Sequence, residues 1–164
     1  MRIYLIGLPT SGKTTLGLRL KDELNLQYID MDKYIEDKYN KDIPTIFKEY
    51  GETYFRLLEK LALKDFLLKD NLIISTGGGV IKDKTNKDLM DGEIIYLSVD
   101  LEELNERIKK QVDNERPLLK TKSIYELYAE RKELYEYFKT IEIENHDIDT
   151  SIKQIKEYLN KWKY

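Results

Sequence analysis

Gly7-Leu8-Pro9-Thr10-Ser11-Gly12-Lys13-Thr14 reads G-x-x-x-x-G-K-[ST], the spacing of a phosphate-binding loop. The flanks give the pattern its meaning. Ile3-Tyr4-Leu5-Ile6 before it is a short β-rich apolar run, and Leu16, Leu20 and Leu24 after it recur every four residues, as on one helix face. A strand that enters a glycine turn and leaves as a helix is the context the motif requires. Gly7 and Gly12 let the backbone turn tightly and approach a ligand. The unpaired N–H groups at the start of the helix, at its positive dipole end, form an anion site. In such a loop Lys13 reaches the β- and γ-phosphates and the Thr14 hydroxyl holds Mg²⁺. The stretch predicts a nucleoside triphosphate site.

Composition narrows the rest. At 164 residues the chain is expected to form one domain, burying about two-thirds of its unfolded surface. The net charge of −3 gives no bulk attraction to nucleic acid or to an acidic membrane, and basic and acidic residues are interleaved. Cysteine is absent, which excludes disulfides and thiol chemistry, and His146 is the only histidine. No uncharged run approaches the roughly 20 residues of a membrane span. The N-terminal apolar segment is too short for a signal peptide, so the cytoplasm is the expected location.

Outward from the loop, strands and helices alternate. Residues 27–29 read as a second strand ending in Asp30-Met31-Asp32, and 34–50 as helix interrupted near Asp42-Ile43-Pro44. Gly51 separates that segment from a helix over about 52–69, with Phe55, Leu58, Ala62 and Phe66 on its buried face. Leu72-Ile73-Ile74 is apolar throughout, as in a strand covered on both faces, and Gly77-Gly78-Gly79 follows. Residues 94–99 form a further strand. Asp100 with Glu103, then Ser123 with Glu126, read as capping boxes opening two helices. The second runs to about Phe138. A fifth strand covers 140–143, and Ile152, Ile155, Leu159 and Trp162 mark a last amphipathic helix. This alternation predicts an open, mostly parallel α/β sheet, with ligands at the carboxyl ends of its strands. The phosphate loop, Asp30/Asp32 and the triple glycine all fall there.

Several side chains are candidates for chemistry, each beside a plainer reading. Asp30 and Asp32 share one face of an extended segment, suiting Mg²⁺ and a substrate hydroxyl, or they cap a helix. Arg56 has Glu52 and Glu59 at helical spacing, and periodicity alone favours a salt bridge. Arg131 lies among Leu127, Leu134 and Tyr135, with Glu130 and Glu133 able to solvate its face. Three glycines exceed the needs of a loose turn, so backbone approach to a ligand explains them better. Arg116, in the aperiodic segment 111–122, is a candidate lid arginine or a surface charge. His146 reads as an exposed loop residue, and the thirteen tyrosines are dispersed packing residues without a stacking platform for nucleic acid.

Taken together these pieces resemble the shikimate kinase family. The likeness rests on Gly7–Thr14, Asp30-x-Asp32, Gly51-Glu52-x-x-Phe55-Arg56-x-x-Glu59, Gly77-Gly78-Gly79, Arg116-Pro117-Leu118-Leu119 and Arg131-x-x-x-Tyr135, in the family's order. The resemblance implies a three-layer P-loop kinase fold: a five-stranded parallel sheet flanked by helices, a substrate-binding region at about 32–60 and a mobile lid at about 111–122. It implies transfer of the ATP γ-phosphoryl group to the 3-hydroxyl of shikimate, in aromatic amino-acid biosynthesis, by a protein expected to be a monomer. On it, Lys13, Asp32 and Arg116 are catalytic, and Thr10, Ser11, Gly12, Lys13, Thr14, Thr15 and Arg116 bind ATP. Asp32, Arg56, Gly77, Gly78, Gly79 and Arg131 contact shikimate, while Thr14 and Asp30 hold Mg²⁺.

The chain departs from the family at three points. Pro9-Thr10 stands where the family commonly has a small or apolar residue followed by glycine. Glu133 replaces a usual proline, and the arginine that often meets adenine corresponds to Lys109 or Lys110.

Other classes fit less well. A gluconate-type kinase lacks the Gly51–Glu59 pattern and the triple glycine. A nucleoside monophosphate kinase needs further arginines. A GTPase switch needs D-x-x-G and N-K-x-D, whereas Asn40-Lys41-Asp42 and Asn86-Lys87-Asp88 place their aspartates one position early. A catalytically silent ATP-binding regulator would not need Lys13, Asp32 and Arg116 together.

Overall fold

A computed structural model describes residues 1–110 and 122–161. The elements are β1 (Arg2–Ile6), α1 (Lys13–Leu24), β2 (Gln27–Asp30), α2 (Met31–Tyr39), α3 (Ile43–Leu67), β3 (Leu72–Ser75), β4 (Glu93–Ser98), α4 (Leu101–Lys110), α5 (Ile124–Phe138), β5 (Ile141–Glu144) and α6 (Ile148–Lys161). Two short 3₁₀ turns, Val80–Lys82 and Lys84–Leu89, lie between β3 and β4.

The five strands form one parallel sheet in the order β2-β3-β1-β4-β5. Alternation along each strand divides the interior into two layers, because successive side chains point to opposite faces. Tyr4 and Ile6 of β1, with Leu72 and Ile74 of β3, pack on α2, α3 and α5. Ile3 and Leu5, with Ile73 of β3, pack instead on Leu16 and Leu20 of α1 and on Ile152, Ile155 and Leu159 of α6. Both faces are thus covered, which is why these strands read as unbroken apolar runs. Cutting a fully buried residue such as Leu5 to alanine should cost about 2–5 kcal/mol.

The predicted helix boundaries hold with physical refinements. Asp42 caps α3 by accepting from the Thr45 N–H at 2.7 Å, and Pro44 occupies its first turn. Gly51 separates two helical stretches within α3, as expected: its φ 82°, ψ 174° is non-helical, kinks the chain between 43–50 and 52–67, and disfavours a side chain. Ser123 and Glu126 make the reciprocal capping box of α5. Asp100 accepts from the N–H groups of Glu102 and Glu103, but Glu103 turns away to Arg107 and His146, so that expected box is only half made. Trp162 and the segment 111–121, with Arg116, lie outside the described residues.

Because every strand is parallel, all five carboxyl ends open on one edge of the sheet. A cleft of about 750 Å³ lies along that edge, from the phosphate loop to the triple glycine.

Candidate active site

At one end of the cleft, Gly12 initiates α1 at φ 95° without any side-chain cap on the helix amides. The amide N–H groups of the first turn therefore lack the side-chain partner a helix start normally recruits, which leaves them suited to an anion. A Cβ on Gly12 would come within 2.5 Å of Asn145 Nδ2, so glycine is required both by conformation and by space. Lys13 Nζ donates to the carbonyls of Gly7 and Leu8, each at 2.9 Å, holding the ammonium over the loop. Thr10, Gly12, Lys13, Thr14 and Thr15 line the cleft. Ser11 does not. Its side chain turns inward, and its carbonyl accepts from Asn145 Nδ2 at 2.8 Å.

Thr10 adopts φ 62°, the left-handed region that β-branched residues rarely enter. This is the position at which glycine is usual in the resembling family, and the threonine keeps the glycine-like backbone. Arg107 Nη1 donates to the Thr10 carbonyl at 3.2 Å, while Thr10 Oγ1 is buried without a partner.

The opposite end is built from side chains on separate elements. Asp32, in the first turn of α2, buries Oδ1 without a hydrogen-bond partner. Burial, reinforced by the neighbouring charge of Asp30, raises its pKa to about 6. Glu59, on α3, is 1% exposed, and burial raises its carboxyl to about 7 although Arg56 pulls it down. Arg56 Nη1 donates to Glu59 Oε2 at 2.6 Å, and its Nη2 donates to Glu52 Oε1 at 3.0 Å. The salt-bridge reading of Arg56 is therefore correct, and the bridged guanidinium also lines the cleft.

Arg131, on α5, corrects the expectation of a solvated face. It is 1% exposed, and none of its three guanidinium nitrogens has a hydrogen-bond partner. Helical periodicity places it on a face with Leu127 and Tyr135, and that face is the buried one.

Each glycine of 77–79 faces a different one of these side chains. A Cβ at Gly77 would lie 2.7 Å from Asp32 Oδ1 and 2.9 Å from Glu59 Oε1. At Gly78 it would lie 2.9 Å from Arg131 Nη1, and at Gly79 2.2 Å from Arg56 Nη1. The backbone approaches the site's own charged groups, a refinement of the ligand-approach reading. None of the three has the positive φ that would demand glycine for conformation alone.

Asp30 takes the capping reading, its Oδ1 accepting from the Lys33 N–H at 3.1 Å to cap α2, and the residue also lines the cleft. Among the described residues no group of three or more His, Cys, Asp or Glu could hold a metal ion. Arg107 and Asn145 escaped the sequence reading. Lys109 turns outward to Glu106, whereas Arg107 and Lys110 line the cleft. Asn145 is buried at the end of β5, bonded to the loop through Ser11 and to Ser151 Oγ at 2.8 Å. Its position at the carboxyl end of a strand was the available signal. His146 is exposed as expected, and Glu103 and Glu144 beside it raise its pKa.

A phosphate loop opening into a cleft with two guanidinium groups and a buried aspartate defines a P-loop kinase of a small anionic acceptor. The shikimate kinase family model matches residues 9–162. The shikimate kinase of Clostridium botulinum (strain Loch Maree) is 44% identical over 166 residues, 98% of this chain and 97% of that protein. The bifunctional shikimate kinase/3-dehydroquinate synthase of Thermotoga maritima is 41% identical over 145 residues, 87% of this chain but 29% of that longer protein. Among solved structures, shikimate kinase from Bacteroides thetaiotaomicron superposes with a TM-score of 0.86 at 31% identity, covering 98% of each chain. The enzyme from Acinetobacter baumannii in complex with shikimate gives 0.82 at 29% identity, covering 99% of this chain and 95% of that one. The chain belongs to the shikimate kinase family. It is an ATP-dependent kinase that phosphorylates shikimate, an enzyme of the shikimate pathway.

Proposed function

We propose that the two ends of the cleft divide the reaction between them: the loop holds ATP, and the Asp32/Arg56/Arg131 end holds shikimate and presents its 3-hydroxyl. Arg131 is the observation that carries this reading. A buried guanidinium without hydrogen bonds is costly unless an anion completes it, and the shikimate carboxylate can accept paired N–H bonds from Arg131 and Arg56. The sugar-like ring would then lie over Gly77–Gly79, and the unpartnered Oδ1 of Asp32 would accept from the attacking hydroxyl.

As the bond from that oxygen to the γ-phosphorus forms and the bond to the ADP oxygen breaks, the hydroxyl proton passes to Asp32. A carboxyl of pKa about 6 is ionised at neutral pH, yet basic enough to take it. Lys13 leaves its loop carbonyls to neutralise charge on the phosphoryl oxygens. Arg116, outside the described residues, is assigned to the same group by its motif alone, through the resemblance that implies a lid at 111–122. The Thr14 hydroxyl and the Asp30 carboxylate are hard oxygen donors that suit Mg²⁺, with water and phosphate oxygens completing its shell. Bound there, Mg²⁺ would offset phosphate charge. Arg107 and Lys110 supply the wall beside the loop, the place for the nucleotide base that Lys109 does not reach.

We assign the chain to a single kinase domain with its acceptor region at 32–60, acting as a cytoplasmic monomer. No described helix is long and apolar enough to cross a membrane. Light scattering on the eluting protein would test the monomer: a mass of twice 19.6 kDa rejects it.

The deciding experiment is ADP release with ATP and Mg²⁺, with and without shikimate, gluconate or quinate. Release that needs shikimate and is lost in Asp32→Asn and Arg56→Ala supports the assignment. Release driven by gluconate alone would discard the acceptor end and keep the phosphate loop. ATP binding without turnover on any acceptor would favour a regulatory role.

A further inference from the structure

Arg131 needs something to hold it. Its guanidinium is buried and makes no hydrogen bond, whereas Arg56 is tethered by Glu52 and Glu59. Two carboxylates fix Arg56 at the cost of part of its charge. A group that could orient Arg131 without neutralising it is Tyr135, one helical turn along α5 and buried on the same face.

Tyr135 is 1% exposed, and its hydroxyl is likewise buried without a hydrogen bond. The ring is stacked on Tyr96 of β4, with centroids 4.5 Å apart and planes 8° from parallel. Such a stack, closed in by the surrounding core, leaves the ring little freedom to rotate or slide. The phenol is pushed up to a pKa of about 12 by burial, against the pull of Arg131, whose positive charge and close, hydrogen-bond-like approach both lower it. It is therefore a neutral oxygen with a free lone pair beside a guanidinium with free N–H groups. Gly78 leaves room beside the guanidinium, where a Cβ would come within 2.9 Å of Nη1.

We propose that Tyr135, clamped by its stack on Tyr96, is a positioning residue for the acceptor carboxylate: its hydroxyl accepts one N–H of Arg131 and sets the plane in which the other N–H groups face the cleft. A neutral acceptor leaves the full positive charge for the substrate. The inference rests on Arg131 being a carboxylate ligand, as argued above.

Tyr135→Phe removes only the oxygen and keeps the ring and its stack. The Michaelis constant for shikimate should rise about 10- to 150-fold, the range for one hydrogen bond to a charged group. The constant for ATP and kcat should change less than about twofold. A double-mutant cycle with Arg131→Lys should be non-additive, because the hydroxyl acts only through the guanidinium. Tyr96→Leu, which frees the ring but spares the hydroxyl, should raise the shikimate constant by a smaller factor. Thermal melting of each variant checks that the fold persists. An unchanged shikimate constant in a folded Tyr135→Phe protein overturns the proposal, as does an equal rise for ATP or strict additivity with Arg131→Lys. Should Arg131→Ala itself leave shikimate binding intact, the parent reading of the site fails instead, so the two failures are separable.

Discussion

At the end of the cleft proposed for phosphate, the groups that would meet an anion are mostly backbone amides at the start of α1, supplied by eight consecutive residues. At the acceptor end they are side chains from α2, α3 and α5, brought together around a glycine loop after β3. Backbone amides carry no net charge and need only the right turn. Buried side chains carry whole charges, so each needs a counter-charge, a partner or a substrate. The phosphate end stores its tension in a dihedral angle, at Thr10. The acceptor end stores it in desolvated charge, at Asp32, Glu59 and Arg131.

The largest effect should come from the one acceptor-end group proposed to meet the reacting hydroxyl. Asp32→Asn keeps the shape and removes the proton acceptor, and kcat should fall about 10²- to 10⁴-fold with ATP affinity nearly unchanged. In the parent enzyme kcat/KM for shikimate should rise with pH through about 6, as Asp32 ionises. A flat profile, or a loss that appears in the ATP constant, would break the division between the ends.

Arg131→Ala should act on binding more than on turnover. Losing one partner of a buried charged contact costs about 2–5 kcal/mol, a fall of about 30-fold or more in kcat/KM for shikimate. Calorimetric titration with an ATP analogue should show little change. If ATP binding weakens equally, the ends are coupled and the comparison fails.

Gly79→Ala is milder. The new methyl would displace Arg56, whose guanidinium carbon would lie 2.4 Å from the added Cβ, although Glu52 and Glu59 anchor that side chain. The shikimate constant should rise about tenfold, within the roughly 1–3 kcal/mol typical of overpacking. Steady-state kinetics in both substrates would show whether the rise is confined to shikimate.

The contrast explains what could be read from the chain. The phosphate end is contiguous, so its spacing alone announces it, and the alternating strands declare the sheet. The acceptor end is legible in part, from Asp32 and the triple glycine at strand ends. Its arginines are legible only by resemblance to a family, because Arg56 and Arg131 are far apart in sequence and each has an ordinary helical explanation. Arg131 shows the difficulty. Glutamates flank it in sequence, and only the packing of α5 on β4 reveals that it is buried. Arg107 was hidden for a similar reason: it pairs with Glu103 one turn back, as many surface arginines do, while its other N–H groups hold the loop.

The electrostatic tension has a signature in stability. Asp32 and Glu59 bind protons more tightly folded than unfolded, with folded pKa values of about 6 and about 7 against ordinary values of 3.8 and 4.5. Their contribution is full below about pH 4 and is lost as pH rises towards 7, so the unliganded protein should melt a few degrees lower across that window. Asp32→Asn should flatten part of this fall. A parent melting temperature that rises between pH 4 and 7 by the same amount in both proteins would count against it.

The backbone tension should give the smallest effect and the opposite design lesson. Thr10→Gly lets the loop keep φ near 62° without a β-branched side chain, relieving about 1–2 kcal/mol of left-handed strain, and it removes a buried hydroxyl that has no partner. Glycine also enlarges the unfolded ensemble, which takes back about 0.4–1 kcal/mol. The net gain of about 1 kcal/mol corresponds to a melting temperature higher by roughly 2–4 °C. Scanning calorimetry of the two proteins without ligand reads it directly. A lower melting temperature would mean that the threonine stabilises the loop, and that the tension at the phosphate end is not in the backbone.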